Sequence, residues 1–118
     1  MGRSRWGDGT AIRSYTYVAD MVEGIYLLMH SELEGPANIG CPQYVSVDEL
    51  AATVAEVAGK KVNIRHVEGP VGVKSRNFSN ERIYSTGWRA KYFLREGIAC
   101  TYPWVEAQRN HRLHGLHR

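Results

Sequence analysis

Ser46 begins a segment whose two ends are both marked in the sequence. A serine followed three residues later by glutamate, Glu49, can pair two otherwise orphaned N–H groups reciprocally and so start a helix. Val47, Leu50, Ala51, Val54, Val57 and Ala58 then recur at helical spacing, and Gly59 supplies a left-handed stop. A chain carrying such a capped, one-sided helix must cover its apolar stripe with something else. A second stripe, Val18, Met21, Val22, Ile25, Leu28 and Met29, predicts another helix, ended by Gly35-Pro36.

Between these helices the reading turns to strands. Arg13 to Tyr17 is rich in β-favouring residues, and Ala37 to Gly40 is a further short candidate. Val62 to Val67 alternates apolar and polar residues as a half-covered strand does. Gly69-Pro70-Val71-Gly72 opens a loop reaching to about Asn80, followed by a short helical turn and Gly87-Trp88. A last helix is predicted from Leu94 to about Arg109, with Leu94, Ile98, Thr101 and Val105 on one side. Pro103 lies inside it, removes a backbone donor and crowds the carbonyl of Ala99, a cost of about 3 kcal/mol in a straight helix. A kink or break is expected there. The fold class is therefore α/β (α+β), a small layered domain of three short strands and three to four helices over 1–108. A polar, disordered tail is expected over 109–118.

Composition excludes several roles. Hydrophobic residues make up 43% of the 118 and charged residues 23%, ordinary values for a globular chain. No apolar run approaches the roughly 20 residues that span a bilayer, and the first residues lack a secretory core, so a cytoplasmic setting is the default expectation. Cys41 and Cys100 make neither a disulfide framework nor a metal site and are expected to be reduced thiols. The net charge of +3 is spread along the chain and suits an anionic small ligand as well as nucleic acid, although no run of Lys and Arg favours the latter.

Much catalytic machinery is missing from this stretch of sequence. No Gly-x-Gly-x-x-Gly opens a helix after a strand, and Gly7-Asp8-Gly9 is the nearest approach. None of the seven tyrosines is followed four residues later by lysine, and neither a phosphate-binding P-loop nor a serine nucleophile elbow is found. What remains is recognition. Arg13 lies after a glycine-rich turn and Arg76 in the long loop, and two guanidinium groups converging from separate loops can clamp a diphosphate bidentately. Either arginine could instead cap a carbonyl or pair with a surface carboxylate. His111, His114 and His117 recur every third residue, but Gly115 and the neighbouring arginines argue against a helical metal site. Trp88 and Trp104 read as core or interface anchors, and Asp20 and Glu23 as residues favouring a helix dipole.

The segments, taken in order, resemble a known family. Trp6-Gly7-Asp8-Gly9, Arg13-Ser14-Tyr15-Thr16-Tyr17-Val18 with Asp20, Asn38-Ile39-Gly40, Val45-Ser46-Val47, Gly69 to Asn77, Thr86-Gly87-Trp88 and Leu94-Arg95-Glu96-Gly97-Ile98 are similar to the substrate domain of extended short-chain dehydrogenase/reductases. The loop Gly-Pro-x-Gly-Val running into Arg-Asn looks most like the epimerases acting on GDP-mannose. The resemblance implies a C-terminal portion that closes over a Rossmann domain and holds the diphosphate of a nucleotide sugar. It implies Arg13 and Arg76 as diphosphate contacts, with Ala11 and Ile12 lining the nucleotide pocket through backbone. NAD serves the full-length enzymes, whose cofactor motif and catalytic Tyr and Lys have no counterpart here, so the chain is expected to bind no cofactor and to be inactive alone. Phe78-Ser79 stands where a Ser-Asp step is usual, and Arg89-Ala90 where a proline is expected. Two further readings stay open at this point: a structural protein that self-associates, as a homodimer or with a missing Rossmann partner, through a face left by that domain, and nucleic-acid binding.

Overall fold

A computed structural model describes the backbone of residues 2–6, 9–68 and 78–115, and the side chains of these apart from 2–6 and 113–115. The elements run β1 (Gly2–Trp6), β2 (Ile12–Ser14), α1 (Val18–Met29), β3 (Tyr44–Ser46), α2 (Val47–Ala58), β4 (Asn63–Val67), α3 (Glu81–Tyr84) and α4 (Leu94–Gly115). The mixed α/β class is as expected, with an extra strand at each of two places. β1 and β4 pair in parallel, Gly2 opposite Asn63 and Trp6 opposite Val67. β2 and β3 form an antiparallel ribbon, Arg13 opposite Val45 and Ser14 opposite Tyr44.

Helix α2 forms as its sequence dictates. Ser46 Oγ accepts from Glu49 N at 3.1 Å, Glu49 Oε1 accepts from Ser46 N at 3.3 Å, and Gly59 closes the helix at φ 67°. Its partner is α4, and Arg95 of α4 meets Glu56 of α2 at 2.5 Å.

Helix α1 covers its apolar stripe and ends at Met29, short of Gly35-Pro36, yet turns an unexpected face inward. Asp20 and Gly24 are its buried residues. The Asp20 carboxylate accepts from the backbone N–H groups of Lys91 and Tyr92 at 3.0 and 2.9 Å, and its carbonyl accepts from Trp88 Nε1 at 2.9 Å. Gly24 leaves room for Trp88 and Ile39, since a Cβ there would lie 3.1 Å from Trp88 Nε1 and 2.8 Å from Ile39 Cγ2. Both carboxylate bonds end on Oδ2, and a buried carboxylate persists when it is hydrogen-bonded in this way. Much of the apolar stripe faces outward: Val18, Val22, Ile25 and Met29 are exposed, Met29 by 75%, as is Tyr26 beside them, while Met21 and Leu28 are half-buried. The core lies beneath, built from Cys41, Val45, Ile83, Trp88 and Leu94.

Three expectations are corrected. Residues 37–40 form no strand; Asn80 Nδ2 donates to the Gly40 carbonyl at 2.7 Å, so this segment is held by a side chain rather than a ladder. The strand read over Arg13 to Tyr17 is Ile12–Ser14, because Thr16 Oγ1 turns to accept from Cys41 N at 3.0 Å. Helix α4 runs through Pro103 without a break and continues past Arg109 to Gly115. Glu106, Ala107, Gln108, Arg109 and Arg112 are good helix formers, and Tyr102 donates to Glu106 one turn on at 3.0 Å, which carries the helix into the segment expected to be disordered. Trp88 is the core anchor foreseen, 1% exposed, whereas Trp104 is 65% exposed.

Candidate functional site

The corner holding Arg13 is built by β2 and the first turn of α2. Gly9 turns at φ 76°, and any side chain there would overlap the Asp48 carboxylate, so only glycine brings the chain this close to the helix. From that turn the backbone runs along the helix end. The Gly9 carbonyl accepts from Asp48 N at 3.1 Å and the Ala11 carbonyl from Val47 N at 3.0 Å. With Glu49 N bound to Ser46 Oγ, the first three N–H groups of α2 are all engaged. A helix start with free N–H groups attracts phosphate. This one is already satisfied by its own chain, so any grip on an anion in this corner falls to side chains.

Arg13 is half-buried in the middle of β2, between Ile12 and Ser14. Its Nη1 donates to the Ile12 carbonyl at 2.7 Å, which holds the guanidinium against its own strand. Ala11 and Ile12 lie half-buried beside it, Ile12 opposite Ser46. Arg76, the second predicted arginine, lies outside the described residues, as does the Gly69 to Asn77 loop.

The sequence reading missed one pair in the same corner. His66 Nε2 of β4 sits 3.0 and 3.1 Å from the two carboxylate oxygens of Asp48, tying the β1–β4 sheet to the start of α2. Gly9 was the one available signal, since a glycine with no room for a side chain implies a close neighbour.

Two apolar hollows flank α2. One of about 450 Å³ is lined by Leu50, Val54, Val62, Ile64 and Tyr102 among others, the second of about 360 Å³ by Tyr15, Tyr17, Phe93 and Ile98. Arg13 lines neither, and their walls suit apolar contacts rather than a diphosphate. Cys100 is exposed and Cys41 buried, both free, and burial pushes the Cys41 thiol above its ordinary value of 9.0, keeping it a protonated packing group rather than a nucleophile. Among the described residues no cluster of metal-ligating side chains occurs, and no helix is long and apolar enough to cross a membrane.

Residues 2–40 match the model of the NAD dependent epimerase/dehydratase family. GDP-mannose 3,5-epimerase from Arabidopsis thaliana is 40% identical over 104 residues, which is 87% of this chain and 28% of that protein. UDP-glucuronic acid decarboxylase 6 from the same plant is 41% identical over 92 residues, 76% of this chain and 27% of the relative. Among solved structures, UDP-glucose 4-epimerase from Thermotoga maritima, determined with UDP-glucose, superposes with a TM-score of 0.82 at 25% identity, over 89% of this chain and 35% of that one. The chain thus belongs, in sequence and fold, to the NAD-dependent epimerase/dehydratase family. It is similar to a portion of GDP-mannose 3,5-epimerase and spans about 28% of that relative's length.

Proposed function

We propose that this chain supplies the nucleotide-sugar grip of an epimerase or dehydratase, with GDP-mannose or a close analogue as ligand and Arg13 and Arg76 as the diphosphate contacts. The observation that carries the reading is the placement of Arg13. It stands on a strand stitched to a helix start whose own N–H groups are taken, so an anion in this corner would be met by side chains, and Arg13 is a cationic one placed there. An arginine held in one orientation loses less freedom on binding and meets a phosphate with a planar fork of donors. Ala11 and Ile12, beside Arg13, would border the nucleotide mainly through backbone.

This chain's residues do not fit the dinucleotide cofactor. No Gly-x-Gly-x-x-Gly turn is present to let backbone approach a pyrophosphate, so no chemical step through NAD is assigned to these residues. The role left to the chain is to hold and orient the sugar nucleotide.

Titration of GDP-mannose into the purified chain, with GDP and unrelated nucleotides as controls, tests the reading. Saturable binding is expected, weakened about tenfold or more by Arg13→Ala and lost in Arg13→Ala/Arg76→Ala, as removal of charge-assisted contacts requires. No binding by the folded chain at millimolar ligand would refute it.

One observation favours a second reading. The outward stripe of α1, with Val18, Val22, Ile25, Tyr26 and Met29 exposed, is a face of the kind that soluble proteins cover. In this reading a second copy of the chain covers it, and the present role is association.

A further inference from the structure

Asp48, in the first turn of α2, stands between two parts of the chain that do not otherwise pair. On one side its N–H donates to the Gly9 carbonyl at 3.1 Å, and its carboxylate lies so close to Gly9 that any Cβ there would overlap it. On the other side His66 Nε2 lies 3.0 and 3.1 Å from the two carboxylate oxygens. An ionised carboxylate only accepts, so Nε2 carries the proton of this contact. His66 belongs to β4, opposite Arg5 of β1, and that sheet is separate from the β2–β3 ribbon. The imidazole therefore reaches from one sheet to the corner built on the other.

The run that begins at Gly9 ends on Arg13. Gly9 and Ala11 are bonded to Asp48 and Val47, Ile12 lies opposite Ser46, and Arg13 lies opposite Val45. Where the Gly9 turn rests against Asp48 thus sets where this run starts along α2. The carboxylate is the wall it rests on, and His66 holds that wall from behind.

We propose that His66, acting through Asp48, is a positioning residue: it keeps the carboxylate against the Gly9 turn and so fixes the start of the strand that carries Arg13. Its effect on a ligand rests on the diphosphate reading of Arg13, whereas its hold on the turn rests on distances alone. The two side chains are 46% and 35% exposed, and a pair open to water to this degree corresponds to about a two- to fivefold effect.

The test uses the whole chain with His66→Leu, His66→Gln, Asp48→Ala, and His66→Leu/Asp48→Ala. Two readouts are taken on each folded variant: amide hydrogen exchange resolved by residue in NMR, and GDP-mannose affinity by calorimetry. His66→Leu should speed exchange about two- to fivefold at Val47 and Asp48, whose N–H groups bond to Ala11 and Gly9, while residues 54–58 of α2 keep their rates. Affinity should fall by the same factor. His66→Gln still donates to the carboxylate and should restore most of both. In the Asp48→Ala background His66→Leu should change nothing further, because the two residues act as one unit. Unchanged exchange in His66→Leu, or equal acceleration along the whole of α2, would overturn the hold on the turn. A further loss in the combined variant would do the same. A loosened turn with unchanged affinity would overturn the positioning of Arg13. If Asp48→Ala fails to fold, His66→Leu against His66→Gln decides the same question. If the unmodified chain binds no GDP-mannose, the diphosphate reading fails while the exchange rates still judge the hold on the turn.

Discussion

Asp20 shows how far a single side chain can depart from its local setting. In the first turn of α1 it reads as a group favouring the helix dipole, yet it is 1% exposed and holds the backbone at Lys91 and Tyr92. Each bond to a charged acceptor contributes about 1.5–3 kcal/mol, so Asp20→Ala should lower the free energy of unfolding by about 3 kcal/mol in urea titration. Both bonds end on Oδ2, so Asp20→Asn keeps an oxygen able to accept them, loses only the charge, and should cost about half as much. A loss under about 0.5 kcal/mol for Asp20→Ala would show that the turn holds itself. The role was hidden because the donors lie some seventy positions downstream, |i−j| of 71 and 72. Arg13 was more legible, since its place after a glycine turn is local. Its company, the Asp48–His66 pair, comes from elements distant in sequence.

At the scale of elements, legibility follows the range of the forces. Helix α2 was readable to the residue because its cap, stripe and stop are all local. Ser46→Ala removes one half of the capping box and should cost about 1 kcal/mol, read as a lowered thermal or urea midpoint, while Ser46→Thr should cost little. An unchanged midpoint for Ser46→Ala would mean the β3–α2 junction holds the helix start without the cap. β1 escaped the reading because Gly2–Trp6 has no strand alternation of its own and forms by pairing with β4, some sixty residues away in register. β3 escaped because three residues carry no pattern. Pro103 was expected to interrupt α4, but helix formers on both sides continue it and the proline lies on an exposed surface. The short loop element α3 was anticipated as a helical turn and is one, Ile83 buried within it.

At the scale of the molecule the chain is extended. Its radius of gyration is 17.4 Å, against about 13–14 Å for a compact chain of this length, and its extents are 51 by 38 by 23 Å. The outward α1 stripe and the exposed Trp104 and Val105 of α4 belong to the same picture. A chain aligning with about 28% of a relative would carry such faces if its covering lay in the remainder. If a second copy covers α1 instead, sedimentation velocity should show a dimer at micromolar concentration. Val22→Glu/Met29→Glu should then yield a monomer with unchanged circular dichroism. A monomeric unmodified chain, or a double variant that stays dimeric, would remove the second reading and leave the nucleotide-sugar grip.

The sequence by itself determined where the helices start, how α2 begins and ends, the mixed class of the fold and the order of segments that marks the family. These depend on spacing, caps and turn residues, whose effects act within a few positions. Only the tertiary structure decided which face of α1 turns inward, which strands pair, and that the start of α2 is saturated by residues 9–11. Each of these sets a buried polar group or an apolar surface against a partner far along the chain. Such choices are made by satisfying hydrogen bonds and excluding water across the whole fold, and no local pattern encodes them.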